Sequence, residues 1–369
     1  MTNLRLLLPA EIPAVPGREC NIYYDNIILS PLNWSNIYQV DVDCSRGVQQ
    51  VERWTWTPTA EVKDQGVFGL TIRFLDPEGV VLAEGQTTVR VYPAEAGADK
   101  PLTTLVVGDS LTAAMVYTDE LFNLMGQPGN PKLTLIGTNA PNKDKPGVRN
   151  EGYGGWTARG FATMWGPEPV NAQNRRARSP FLFEKDGQPV LDFQKYCDEN
   201  NGGQGPDVIT LLLGCNDNFS AKDDTIEASI DSFITHMDIL IAEFHRVRPD
   251  TKIAILSLLP PAATQDAFGA NYACGQTRWQ YKKNQHRVME RVVAKYGQRE
   301  AEQIYLVPAY VNLDCVHNYP AVEVPANARA EGAGSKIIRL NNGVHPAASG
   351  YRQLADSLYC WLKGQLAKP

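Results

Sequence analysis

Only five histidines occur in 369 residues, no apolar run approaches membrane-spanning length, no long tract carries a single charge sign, and no segment is duplicated. Each absence closes a class of function. A membrane helix needs roughly 18 or more consecutive apolar residues, whereas the strongest run here, Val208 to Leu213, has the length of a strand. The chain is therefore expected to be soluble, with no membrane partner. Lys plus Arg number 35 against 41 Asp plus Glu, a formal charge of −6. Without a basic stretch to neutralise a phosphate backbone, nucleic acid is not an expected partner. A phosphate loop of the GxxxxGK type is missing, and the glycines at 152–155 have neither its lysine nor its strand-to-helix setting. Cys315 and His317 stand one residue apart, but no second Cys/His group completes a zinc set and Asp314 need not be a ligand. Neither a metal nor an organic cofactor is expected. Met1 to Arg5 lead into a short, proline-interrupted apolar stretch without a small-residue cleavage site, so no secretory signal is expected. A cytoplasmic protein and a processed secreted one both fit. The seven cysteines are widely spaced and odd in number, which leaves at least one unpaired in a monomer and chooses neither a redox compartment nor an oligomeric state.

What is present describes a folded chain with many turns: 43% hydrophobic and 21% charged residues, with 30 Gly and 25 Pro. The length favours two domains. In the first 95 or so residues, short alternating stretches at Gln49 to Thr57, Val67 to Phe74 and Thr87 to Tyr92 predict an antiparallel β-sandwich. Asp76 to Gly79 reads as a turn, and Gly85 as a further break. The small-residue segment Pro93 to Lys100 is the best boundary, which places a β-sandwich-like accessory domain at 1–97 and the remainder at 98–369. Beyond it, strands expected at Thr103 to Val107, Leu133 to Ile136, Val208 to Leu213, Lys252 to Leu256 and Ile304 to Val307 alternate with helical segments at Thr225 to Arg246, Arg278 to Tyr296 and Ala347 to Leu362. That alternation predicts a parallel sheet covered by helices. Between Gly155 and Leu211 lies a Pro- and Gly-rich excursion with Arg175, Arg176 and Arg178, too polar to be all core and expected to form part of a substrate-facing wall.

Four segments suggest chemistry. Gly108, Asp109, Ser110 and Leu111 follow the first expected parallel strand, where a serine hydroxyl can project into a crevice at the carboxyl edge of the sheet; the plainer reading is a helix cap after a glycine turn. In Gly152 to Thr157, the missing side chains at 154 and 155 let a backbone amide approach an anionic oxygen, although a generic glycine turn explains them equally well. Gly214, Cys215, Asn216 and Asp217 follow the most apolar strand, so the Asn216 amide is either a donor to developing charge or part of an Asn/Asp turn. Asn341 to Pro346 reads as a loop entering the terminal helix. It carries His345, the clearest general-base candidate because His236, His245 and His286 fall within helix-like segments.

In this order the four segments resemble the SGNH or GDSL hydrolase family, with Ser110, Gly155, Asn216 and His345 at its four named positions. The resemblance covers most of residues 101–363 and implies a three-layer α/β/α domain with a parallel sheet that hydrolyses carboxylic esters. It implies Ser110 as nucleophile and His345 as general base, with the Ser110 and Gly155 backbone amides and the Asn216 side chain stabilising the oxyanion. One position departs from the family pattern: Asn342 stands where its Asp is usual, three residues before the histidine. Asn342 through its carbonyl oxygen, a backbone carbonyl or another acid is then left to orient His345. The stretch from Pro180 and Phe181 through Asp192, Phe193 and Tyr196 resembles insertions in carbohydrate-active members. The expected substrate is accordingly an acylated saccharide, chiefly O-acetylated. A broader small-ester esterase or lipase and a catalytically weak saccharide-binding protein are the alternatives. Trp156 and Trp165 are candidates for an aromatic saccharide platform, with core packing as the rival reading. Arg278 and Trp279, after Gly275 to Thr277, are candidates for substrate binding or simply a helix start.

Overall fold

The computed structural model describes residues 4–30, 34–170, 175–272, 275–332 and 334–368. The chain is mixed α/β and gathers into two compact units, one of Met1–Pro93, Leu259–His286 and Pro308–Gly364, the other of Ala94–Leu258, Arg287–Val307 and Gln365–Pro369.

The second unit is built on a parallel sheet in the order Lys132–Ile136, Pro101–Gly108, Val208–Leu212, Lys252–Leu256 and Ile304–Val307. A two-residue strand, Glu151–Gly152, also runs parallel to the carboxyl end of Pro101–Gly108. These strands are Val, Ile and Leu runs, and Val208–Leu212 is buried along its whole length, as expected where both faces of a parallel sheet are covered. The helix Ile226–Val247 buries Ile226, Ile230, Phe233, Met237, Leu240, Ile241 and Phe244, the three- and four-residue spacing of one apolar stripe. Part of the polar excursion is in fact core. Phe181 is fully buried, and its ring meets Phe193 at 5.6 Å, Tyr196 at 5.1 Å and Phe244 at 5.4 Å.

The first unit contains a four-stranded sheet in the order Glu11–Ala14, Val81–Val91, Gly66–Leu75 and Gln39–Cys44, and a three-stranded sheet of Cys20–Tyr23, Arg53–Trp56 and Val48–Gln49. Residues of both sheets, among them Ile22, Trp54, Ile72, Phe74 and Val89, share one buried cluster. The turn at 76–79 is held by the Asp76 carboxylate, which accepts from the backbone N–H of Glu78 at 3.0 Å and of Val80 at 2.8 Å. Two expectations are corrected. Gln49 to Thr57 is not one strand: Val48–Gln49 and Arg53–Trp56 pair antiparallel across a tight turn in which Gln50 N–H donates to the Arg53 carbonyl at 2.7 Å. Gly85 is no break but lies inside Val81–Val91, where a Cβ would sit 2.7 Å from Leu8 Cδ1 and 2.8 Å from Leu6 Cδ2. Its bare backbone leaves room for these leucines.

No disulfide joins Cys20, Cys44, Cys197, Cys215, Cys315 or Cys360; Cys274 lies outside the described residues. Among the described residues no helix is long and apolar enough to cross a membrane.

Candidate active site

Strand register assembles three of the four segments. Gly108, the last residue of its strand, pairs with Gly152 on one side and Leu212 on the other, so the chains leading to Ser110, Gly155 and Asn216 leave one carboxyl edge side by side. At Gly108 a Cβ would lie 2.0 Å from Thr112 Oγ1 and 2.9 Å from the Leu212 carbonyl oxygen; only glycine lets the strand turn directly into the helix Ser110–Ala113. Asp109 caps that helix, its carboxylate accepting from Leu111 N–H at 2.9 Å, and half-buried Ser110 opens the first turn. Gly152 is equally constrained, because a Cβ there would meet Ala113 N at 2.5 Å.

The glycine segment is a turn closed by Trp156 N–H donating to the Tyr153 carbonyl at 3.2 Å. Gly155 takes a φ of +79° with open space around it, so backbone conformation rather than crowding demands glycine there. Behind the turn stand two buried residues that sequence reasoning missed. Asn150 accepts from Gly152 N–H at 3.0 Å and donates to the Thr112 carbonyl at 2.9 Å, tying the two segments together. The Glu151 carboxylate accepts from Thr138 N–H at 2.6 Å, Thr138 Oγ1 at 2.9 Å, Tyr196 Oη at 2.7 Å and the Tyr153 hydroxyl. Burial raises Glu151 above its ordinary value despite these donors. A lone Asn-Glu pair before a glycine motif carries no pattern that would have marked them.

Asn216 braces the edge: Nδ2 donates to the Trp156 carbonyl at 3.0 Å and to Asp109 Oδ2 at 3.3 Å. Its neighbour Asp217 accepts from Ala158 N–H at 3.1 Å, at the start of the helix Ala158–Thr163. Burial dominates both acids, pushing Asp109 up to about 7, with Asp217 adding to the rise, and Asp217 up to about 6.

His345 and Asn342 belong to the other compact unit. The loop lies close against Phe268, since a Cβ on Gly343 would sit 2.6 Å from that ring. Asn342 does not reach the His345 imidazole. Its Oδ1 accepts from Val344 N–H at 3.1 Å and His345 N–H at 2.9 Å, closing the turn, and from Tyr272 Oη at 3.3 Å. The imidazole Nδ1 instead lies 2.8 Å from Tyr272 Oη. Tyr272 is thus the group that sequence reasoning missed, 73 residues from its histidine. Burial lowers the His345 imidazole below its ordinary value.

The remaining candidates scatter. Trp156 is 5% exposed and packs against Tyr153 and Phe161, both at 4.9 Å; no open face is left for a sugar ring. The Arg178 guanidinium covers one face of Trp165 at 3.8 Å. Arg278 and Trp279 start the helix Arg278–Tyr296 and line a cavity of the first unit. Among the described residues no group of three or more His, Cys, Asp or Glu side chains is gathered as a metal ion would require.

The GDSL-like lipase/acylhydrolase family model matches residues 105–358. Similar solved structures include a family 3 carbohydrate esterase of Clostridium thermocellum, 18% identical over 73% of this chain and 100% of that one, with a TM-score of 0.41. A family 3 carbohydrate esterase from Talaromyces cellulolyticus is 15% identical over 72% of this chain and 98% of that one, with a TM-score of 0.40. An acetyl xylan esterase is 12% identical over 70% and 98%, with a TM-score of 0.35. A search of curated proteins found no match.

Proposed function

Because the chain belongs to the GDSL-like lipase/acylhydrolase family, we propose that it is a serine-dependent carboxylic ester hydrolase that removes O-acetyl groups from a carbohydrate. The observation that carries the hydrolase reading is the register of Gly108 with Gly152 and Leu212, which gathers Ser110, Gly155 and Asn216 at one sheet edge. The carbohydrate part rests on the sequence resemblance of the Pro180 to Tyr196 region to carbohydrate-active members. The same reading retains a three-layer arrangement for residues 98–369 and an accessory β-sandwich for residues 1–97.

In the proposed reaction His345 Nε2 takes the Ser110 hydroxyl proton as Oγ bonds to the ester carbon. The oxyanion is received by the Ser110 and Gly155 amides and by Asn216, whose longer bond, the 3.3 Å contact to Asp109, gives way to it. His345 then passes the proton to the departing sugar oxygen, leaving acetyl-Ser110. Water, deprotonated by His345, attacks that ester, and His345 returns the proton to Ser110 Oγ as its bond to the acyl carbon breaks and acetate leaves. For Nε2 to accept a proton, the neutral imidazole must carry its own on Nδ1. We assign Tyr272 to that role: with its O–H on Asn342 Oδ1 at 3.3 Å, its oxygen would accept from His345 Nδ1–H at 2.8 Å. Asn342 acts on the histidine through this tyrosine, in place of a carboxylate.

Acetate release from acetylated oligosaccharides by the purified protein and by Ser110→Ala tests the reading. Serine-dependent release supports it; sugar binding without release identifies a non-catalytic binder. In a series of simple esters, preference for long acyl chains would replace the acetylesterase with a lipase.

A further inference from the structure

The first unit holds a cavity of about 690 Å³ lined by Asp25, Trp34, Arg278, Trp279 and Lys282 among others, large enough for a small ligand. Its polar wall is unbalanced. Lys282 is 8% exposed, and among the described residues its ammonium, with three hydrogens to donate, has one acceptor, Asp25 Oδ1 at 2.6 Å. Arg278 places Nη2 2.7 Å from the other Asp25 oxygen and Nε 2.9 Å from the Ala262 carbonyl, and among the described residues Nη1 has no acceptor. Burial would raise the Asp25 carboxyl, but Lys282 and then Arg278 reverse this and hold it below its ordinary value. One carboxylate therefore faces two cations. The other acids of the lining pair with neither cation: Asp314 is engaged by His317 and two backbone N–H groups at 2.9 Å, and Glu52 lies beside Arg53 at 3.6 Å. Burial lowers the Lys282 ammonium below its ordinary value, and an anion beside it would lift it again. Trp279 is 37% exposed at the same cavity, and an indole face suits the C–H face of a pyranose.

We propose that this cavity binds an acidic saccharide unit, its carboxylate received by Lys282 and Arg278 and its ring face by Trp279; the choice of a saccharide rests on the carbohydrate reading above. Binding is measured by calorimetry on the full chain with unesterified trigalacturonate, with neutral xylotriose and with sodium acetate. Trigalacturonate should bind at least about tenfold more tightly than either, and less tightly as salt rises. Lys282→Met and Trp279→Ala should each weaken it by about tenfold. Because Trp279 is exposed, its variant carries the test if loss of the buried lysine prevents folding. Equal binding of xylotriose, equal binding of acetate, or variants that bind like the parent protein would each overturn the proposal. None of these ligands carries an ester, so failure of acetate release leaves this result untouched, and the converse also holds.

Discussion

The serine edge and the histidine turn are built by different forces. Around Ser110 the work is done by backbone: parallel register, a cap, and glycines that permit close approach at 108 and 152 or a positive φ at 155. Around His345 it is done by side chains, with Asn342 closing the turn and Tyr272 meeting the ring. The serine edge, held by ladders, should tolerate surface change well but fail sharply at its reacting groups. The histidine turn should degrade by degrees and in a pH-dependent way.

Four experiments can break that contrast, beginning with the largest effect. Ser110→Ala should lower acetate release by at least about 10³-fold with folding retained; residual turnover near the parent rate would remove the serine from the reaction. Asn216→Ala should lower kcat by about 10²–10³-fold, and a changed Tm with an intact kcat would reduce Asn216 to the brace seen between Asp109 and Trp156. Tyr272→Phe should lower kcat by about tenfold with little change in KM, as expected when only the imidazole tautomer is disturbed. The pH profile sharpens this third case. Burial lowers His345 below 6.5, so activity should persist below that pH and fall as the imidazole becomes protonated. A carboxylate in Asn342→Asp would favour the imidazolium and move this acid limb upward. An unmoved limb would separate position 342 from the histidine.

The smallest effect concerns stability. Asp109 is pushed up to about 7 in the fold against an ordinary 3.8. The folded state therefore binds this proton more tightly than the unfolded one, so stability falls as pH rises from 3.8 to about 7 and levels off above it. Asp109→Asn should raise Tm by a few degrees at pH 8, with the gain fading as pH falls toward 4; a gain independent of pH would discount the buried charge.

The parallel strands were legible because each is a short apolar run bounded by turn residues, and each expected strand lies within a residue or two of its observed span. Ser110 and Asn216 stood out in the sequence for a related reason: each follows such a strand, whereas Gly155 follows the two-residue Glu151–Gly152, which no apolar run marks. Gly85 misled because a glycine that clears space for Leu6 and Leu8 looks the same in sequence as one that ends a strand. Trp156 stayed open between a platform and core packing because an aromatic beside glycines carries no mark of the Tyr153 and Phe161 rings that bury it.

Chain order and local pattern alone determined that this protein carries a parallel α/β sheet with a serine and an asparagine on strand-ending loops and a glycine turn between them in the chain, because strand runs and glycine turns are written in neighbouring residues. Tertiary structure alone decided that Tyr272 meets the histidine, that Asn216 spans Asp109 and Trp156, and that Lys282 and Arg278 share the single carboxylate of Asp25. Those contacts join residues tens to hundreds of positions apart, and a hydrogen bond depends on distance in space, which separation along the chain does not encode.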